Sequence, residues 1–198
     1  VETCRETPAP PELADLLSRM AAQQCQQVAL EVSSQALIRK QLAGLQLDGA
    51  IITRIRSEHL DYHGSLENYR RAKLQILSLL KPGATAILNA DDPATRSLFP
   101  EIDAPIVTFG MHTRADITAS LLERCPSEQT FLIRARQETA TVRTAVIGDP
   151  HIAHCLAAAS LALSGGSDLA TIAAGLSVPR SLPGYLERIE CGQPFSVF

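Results

Sequence analysis

The chain has 198 residues, 45% hydrophobic and 20% charged, with 18 Lys plus Arg against 21 Asp plus Glu for a formal charge of −3. This balance suits one globular domain with a sizeable core and excludes disordered and fibrous classes. It supplies no basic field that would hold nucleic acid or an anionic membrane by charge alone, and no apolar run reaches the roughly 18 residues a bilayer span needs.

Taken in chain order, Pro8, Pro10 and Pro11 end an irregular lead-in. Leu13, Leu16, Leu17, Met20 and Ala21 then recur at helical spacing, which predicts an amphipathic helix to about Gln24. Gln27 to Val32 (QVALEV) and Asp48 to Ile55 (DGAIITRI) are short, β-branched runs of strand length, separated by a helical segment from Ser33 to Leu42. Ser65 can cap a helix carrying Leu66, Tyr69, Leu74, Leu77 and Leu80, with Pro82-Gly83 as its stop. Thr85 to Asn89 reads as a strand, Ala94 to Phe99 as a short helix and Pro105 to Phe109 as a buried strand. Alternation of this kind predicts a mostly parallel sheet with helices on both faces.

From residue 115 to residue 147 polar and apolar residues alternate, which predicts a small antiparallel insert with turns at Arg124–Gln129 and Gln137–Thr139. Two helices follow, Ile152–Leu163 and Leu169–Leu176, the second capped by Ser167 or Asp168. Residues 189–198 look like two short strands around Gly192-Gln193-Pro194. Cys4, Cys25, Cys125, Cys155 and Cys191 are odd in number and never form a C-x-x-C pair. They argue against a disulfide framework or a zinc site and read as incidental thiols. The first residues lack a secretory layout, so the expected location is the cytoplasm.

Several polar residues fall where open α/β folds bind ligands. His59-Leu60-Asp61-Tyr62-His63-Gly64 follows a predicted strand and precedes a capped helix. Glu31 ends the run QVALEV near Ser33-Ser34, and a carboxylate there calls for a metal or a cation. Glu31 with His59 would offer the mixed oxygen and nitrogen ligation that suits Mg²⁺ or Mn²⁺ completed by phosphate. Lys73 is by default a solvated helix side chain; turned toward the strand ends, its amine would lose charge on burial and become open to modification. Asn89-Ala90-Asp91-Asp92-Pro93 reads equally as a turn with a helix cap. No Gly-rich phosphate loop and no nucleophile elbow occurs.

Together, Leu30-Glu31-Val32-Ser33-Ser34, the run His59 to Gly64, Glu67-Asn68-Tyr69 with Ala72-Lys73, Asn89-Ala90-Asp91-Asp92, and Gly184 with Glu187-Arg188-Ile189 resemble the central domain of the Mur ligases, closest to the UDP-N-acetylmuramoyl-tripeptide synthetase (MurE) group. The resemblance covers nearly the whole chain and implies a P-loop-like α/β central domain, residues 1–198, with 115–147 as a small antiparallel subdomain. It implies an ATP-dependent ligase that adds diaminopimelate or lysine to UDP-N-acetylmuramoyl-L-alanyl-D-glutamate through an acyl phosphate, for peptidoglycan synthesis. By the same resemblance Glu31 and His59 are Mg²⁺ ligands and Lys73 is the carbamylated lysine. Thr7, Ser33 and Ser34 touch the UDP-sugar-peptide, and Asn89, Asp92, His151 and His154 lie on the ATP side. The partners implied are the UDP-N-acetylmuramoyl-peptide and an amino acid, with no nucleic acid, no membrane and a monomeric state.

The sequence departs from the family pattern in several places. Ser-Ser-His becomes Ser34-Gln35, the following Arg falls at Gln41, and Thr-Asn becomes Thr53-Arg54. The adenine-side N-x-x-N falls at His151 and His154, and an expected Arg is Tyr185. The family's P-loop precedes the region of Val1 and its C-terminal domain follows that of Phe198, so this chain alone is expected to be incomplete and inactive. The alternative reading is a diverged, non-catalytic paralogue that acts as a binding or partner module.

Overall fold

The computed structural model describes residues 7–56, 58–178, 189, 191–193 and 197. They fall into two compact units, Val1–Asp48 with Arg56–Lys81 and Gly49–Ile55 with Pro82–Phe198.

In the first unit, α1 (Pro10–Ala22) starts on prolines that lose no helical hydrogen bond there, and Glu12 in its first turn complements the helix dipole. The strand predicted at Gln27–Val32 does not form: the segment pairs with no strand, and Val28 is 48% exposed. Strand propensity measures fit to a half-buried pleated surface, and this segment has none to fit. Glu31 therefore stands in an open loop, not at a strand's carboxyl end. The helix expected over 33–42 is confined to α2 (Ser34–Ile38), where the Ser33 hydroxyl accepts from Ala36 N at 3.1 Å.

His59 follows in a left-handed conformation (φ +54°), and Gly64 (φ +72°) closes the single turn α3 (Leu60–His63). Histidine is among the residues that tolerate this region best, yet positive φ is uncommon outside glycine and marks a constrained spot. Ser65 caps α4 (Leu66–Leu74) as expected, accepting from Asn68 N at 3.1 Å, while the Asn68 amide donates to the His63 carbonyl at 2.9 Å. Tyr69 and Ala72 form the buried face of α4, which packs against α2, whereas Leu66 stays 45% exposed. The helix tightens into a 3₁₀ stretch, Gln75–Leu79, and Pro82-Gly83 does not stop it; these two residues lie within the following strand.

The second unit carries most of a six-stranded sheet in chain order: β1 (Leu47–Ile52), β2 (Leu80–Asn89), β3 (Ile106–Gly110), β4 (Ile117–Cys125), β5 (Glu128–Ala135) and β6 (Glu138–Thr144). Strands β2 and β3 run parallel with Ala86 opposite Ile106 and Asn89 opposite Phe109. Strands β3 and β4 are also parallel, through Phe109–Ile117 and Gly110–Thr118. The alternating segment forms the antiparallel β4–β5–β6 ribbon with a bulge between Leu121 and Glu123. It continues the same sheet beyond its parallel strands. A short α5 (Pro93–Arg96) follows β2.

Helix α6 (Asp149–Ser164) packs on β3 and β4, and α7 (Leu169–Leu176), capped by Asp168, packs on β6 and α6. Ile87, Phe109, Phe131, Ile133 and Val142 from the sheet meet Ile152 and Leu156 of α6 and Leu169 of α7 in one core. Each such side chain removed from water contributes about 1.5–3 kcal/mol, which holds these helices to the sheet. At Gly49 a Cβ would collide with Leu161 Cδ1, so glycine lets α6 approach β1.

Where two short strands were expected, Ile189 and Val197 form one antiparallel bridge. Gly184, Tyr185, Glu187, Arg188 and Cys4 lie outside the described residues. Among the described cysteines all are free thiols: Cys25 and Cys191 exposed, Cys125 half-buried and Cys155 buried. Among the described residues no helix is long and apolar enough to cross a membrane.

Candidate functional site

The residues assigned to metal, lysine and sugar-peptide contacts all belong to the first unit, and those assigned to the nucleotide belong to the second. In the first unit Thr7 organises the loop that carries Glu31. Its hydroxyl donates to the Glu31 carbonyl at 3.1 Å and accepts from Ser33 N at 3.0 Å. With the backbone held at 31 and 33, the Glu31 carboxylate remains exposed and free to meet a cation. Ser33 is occupied as the α2 cap but keeps its hydroxyl proton for a further acceptor.

Ser34 is buried and shares a 2.9 Å hydrogen bond with His63 Nε2. His63 carries no role in the pattern read from the sequence, yet it is the better-built histidine of the run. Its ring is 5% exposed, meets Tyr62 and Tyr69 edge-on at 5.1 and 5.2 Å, and leaves Nδ1 buried without a partner. Burial lowers its pKa below the ordinary histidine value, the nearby His59 lowers it further, and Asp61 opposes both. Burial thus favours the neutral imidazole of His63, which fixes Ser34, while His59 stands exposed.

Lys73 lies half-buried on α4 with its ammonium 5.4 Å from the centre of the Tyr69 ring. Tyr69 and Lys73 are four residues apart, which puts them on one helix face. Burial pulls the lysine below its usual pKa, and the carboxylates of Glu58 and then Glu31 pull it back up. Burial, together with the charge and hydrogen bond of Glu58, pushes the Tyr69 phenol up to about 12. Glu58 is a member of the site that the sequence reading passed over, although it directly precedes His59. The unit thus brings Glu31 and Lys73 within electrostatic reach, and His63, next to Tyr69, lies within reach of His59.

Among the described residues no three His, Cys, Asp or Glu side chains gather closely enough to ligate a metal ion. Mg²⁺ does not require three: it commonly takes one or two protein groups and fills its shell with water and phosphate oxygens. The exposed Glu31 carboxylate and His59 imidazole have the chemistry of such a partial shell. In that sense the residues fit the ion.

The nucleotide-side residues of the second unit are differently occupied. The Asn89 amide donates to the Thr53 carbonyl at 2.8 Å and its oxygen accepts from Asp91 N at 2.8 Å. Asp92 Oδ2 accepts from Ile55 N at 2.8 Å, from Thr95 N at 3.3 Å and from the Thr95 hydroxyl at 2.6 Å, capping α5. Both side chains therefore tie the end of β2 to the residues following β1. Asp91 similarly binds the turn after β3, taking the backbone N–H groups of Met111, His112 and Thr113. Burial works against its charge, and these donors outweigh it and hold the carboxyl below the usual range. His151 is 7% exposed and faces the core, while His154 is exposed.

An α/β sheet of parallel strands prolonged by an antiparallel ribbon, and in the first unit a half-buried lysine within the electrostatic influence of two carboxylates, has the build of a ligase central domain. Residues 2–162 match the family described as the Mur ligase middle domain, and the chain belongs to the Mur ligase family. It is 35% identical over 176 residues to the UDP-N-acetylmuramoyl-L-alanyl-D-glutamate--2,6-diaminopimelate ligase of Geobacillus kaustophilus, covering 86% of this chain and 36% of that protein. It is 33% identical over 207 residues to a UDP-N-acetylmuramyl-tripeptide synthetase of Roseiflexus sp., covering 98% and 41%. A solved UDP-N-acetylmuramoyl-L-alanyl-D-glutamate--2,6-diaminopimelate ligase superposes with a TM-score of 0.80 at 25% identity, over 90% of this chain and 37% of the other. The chain thus spans about two fifths or less of the length of these relatives.

Proposed function

We propose that these 198 residues act as one central domain, monomeric and cytoplasmic, of an ATP-dependent ligase. The enzyme joins an amino acid, diaminopimelate or lysine, to UDP-N-acetylmuramoyl-L-alanyl-D-glutamate in peptidoglycan precursor synthesis. The observation that carries the reading is the half-buried Lys73 amine over Tyr69, flanked by the charges of Glu58 and Glu31. Activating a carboxylate by phosphoryl transfer brings anions together, so the site must supply positive charge and fixed geometry. Glu31 and His59 would hold Mg²⁺, which when bound neutralises that charge. Burial favours the neutral form of Lys73, the form able to add to carbon dioxide: an N–C bond forms, a proton leaves, and the side chain becomes an anionic carbamate. Thr7, Ser33 and Ser34 would contact the sugar-peptide. For Thr7 and Ser34 this contact acts through the loop and α2 start that they hold, because their hydroxyls are engaged.

The test is amide formation by the whole polypeptide that carries this chain, supplied with the UDP-dipeptide, each amino acid and Mg²⁺-ATP. Lys73→Ala should abolish turnover, and added bicarbonate should not restore it. Turnover undiminished in that variant removes Lys73 from the site. A non-catalytic paralogue is the second reading, favoured by one observation: Asn89, Asp92 and His151, three of the four residues assigned to the nucleotide side, are engaged within the fold.

A further inference from the structure

We infer that position 151 has passed from reading a nucleotide base to locking the fold, so that this chain does not hold an adenine through His151. The inference rests on the family reading only for which positions face the nucleotide; the geometry at those positions belongs to this chain. His151 Nε2 stands 3.2 Å from the Thr144 hydroxyl and 3.5 Å from Cys155 Sγ. All three side chains are buried, with exposures of 7%, 2% and 4%. The Thr144 hydroxyl in turn accepts from Val146 N at 3.2 Å. The clasp therefore joins the end of β6, the turn that follows it and the first two turns of α6.

A second clasp holds the same turn from the other side. Gln129, 1% exposed, donates to the carbonyls of Val146 and Gly148 at 2.9 and 3.2 Å and accepts from Gly148 N at 3.1 Å. Arg124 bonds both the Gln129 amide oxygen and the Asp149 carboxylate. Turning the His151 ring outward would leave the buried Thr144 hydroxyl with Val146 N alone, and a buried group that loses a partner is costly. With Asn89 and Asp92 committed to backbone groups near β1, only His154 among the four assigned residues is exposed. One exposed imidazole can stack on a base but lacks the paired donor and acceptor needed to read an adenine edge.

Ring ¹⁵N–¹H correlation spectra of the whole polypeptide that carries this chain, titrated with Mg²⁺-ATP into the millimolar range, test this. While nucleotide binds, the His151 ring signals should stay fixed whether or not those of His154 move. His151 signals that shift and saturate along a binding curve would overturn it. In His151→Asn, which restores the residue type of the family pattern, the melting temperature should fall by about 2–4 °C or more, with no gain in nucleotide affinity. A tenfold or greater change in affinity at an unchanged melting temperature would also overturn it. Turnover of the Lys73→Ala variant reports on the ligase reading separately, so either idea can fail alone.

Discussion

Replacing Asp92 by Ala measures whether that carboxylate serves the fold or a ligand. One oxygen, Oδ2, receives Ile55 N, Thr95 N and the Thr95 hydroxyl, and with Ile55 at 4% and Thr95 at 0% exposure solvent cannot take its place. Loss of a helix N-cap costs about 1 kcal/mol. Each buried donor left without a partner costs about 1–3 kcal/mol. Two such donors and the cap together give about 3–7 kcal/mol. With a urea m-value of about 2 kcal/mol per molar, the unfolding midpoint should fall by roughly 1.5–3.5 M at constant slope. Asp92→Asn keeps an acceptor oxygen and should lose less than half of that. A fall under about 0.5 M for the Ala variant, or lost nucleotide binding at an unchanged midpoint, refutes the structural role argued here.

Acid should weaken the fold through its buried imidazoles. Burial lowers the pKa of His151, as does the charge of His154, and burial likewise lowers that of His63. The unfolded chain then binds more protons below about pH 6.5, so stability is complete above that value and declines as pH falls toward the folded pKa; urea midpoints at pH 7.5 and 5.5 read the difference, and equal midpoints contradict it. Gly110→Ala places a Cβ 2.9 Å from Asp91 Oδ1, an atom already held by two backbone N–H groups, so it should destabilise by about 1–3 kcal/mol in the same urea assay. Phe131→Ala empties a wholly buried site of the sheet core and should cost about 3–5 kcal/mol, seen as a lower thermal midpoint. Tyr69→Phe keeps the ring beneath Lys73 and removes the hydroxyl bonded to Glu58, so turnover of the whole polypeptide should drop while the thermal midpoint changes little.

Much of the layout was legible because it depends on local chemistry. Ser65 and Asp168 cap helices where their short oxygen-bearing side chains stand just ahead of apolar periodicity. The alternation from Ile117 to Thr144 describes a ribbon whose two faces differ, and the register follows from it. Gln27–Val32 misled because a β-branched run is only a candidate strand until a neighbour offers hydrogen bonds, and no strand pairs with it here. Pro82-Gly83 misled in the other direction: the residues that end a helix also tolerate the start of a strand.

At the site, the sequence alone determined which chemical groups are available and in what order: Glu31, His59, Lys73 and the serines lie in short runs whose composition is itself distinctive. Tertiary structure alone decided which of them stay free. Thr7, Ser34, Asn89, Asp92 and His151 spend their polar atoms on partners 7 to 37 residues away, and Glu58 joins Tyr69 and Lys73 although nothing in its spacing announces it. A hydroxyl, amide or imidazole offers the same donors and acceptors to a ligand as to a distant backbone group, and which of the two receives them is fixed only when the chain closes around it.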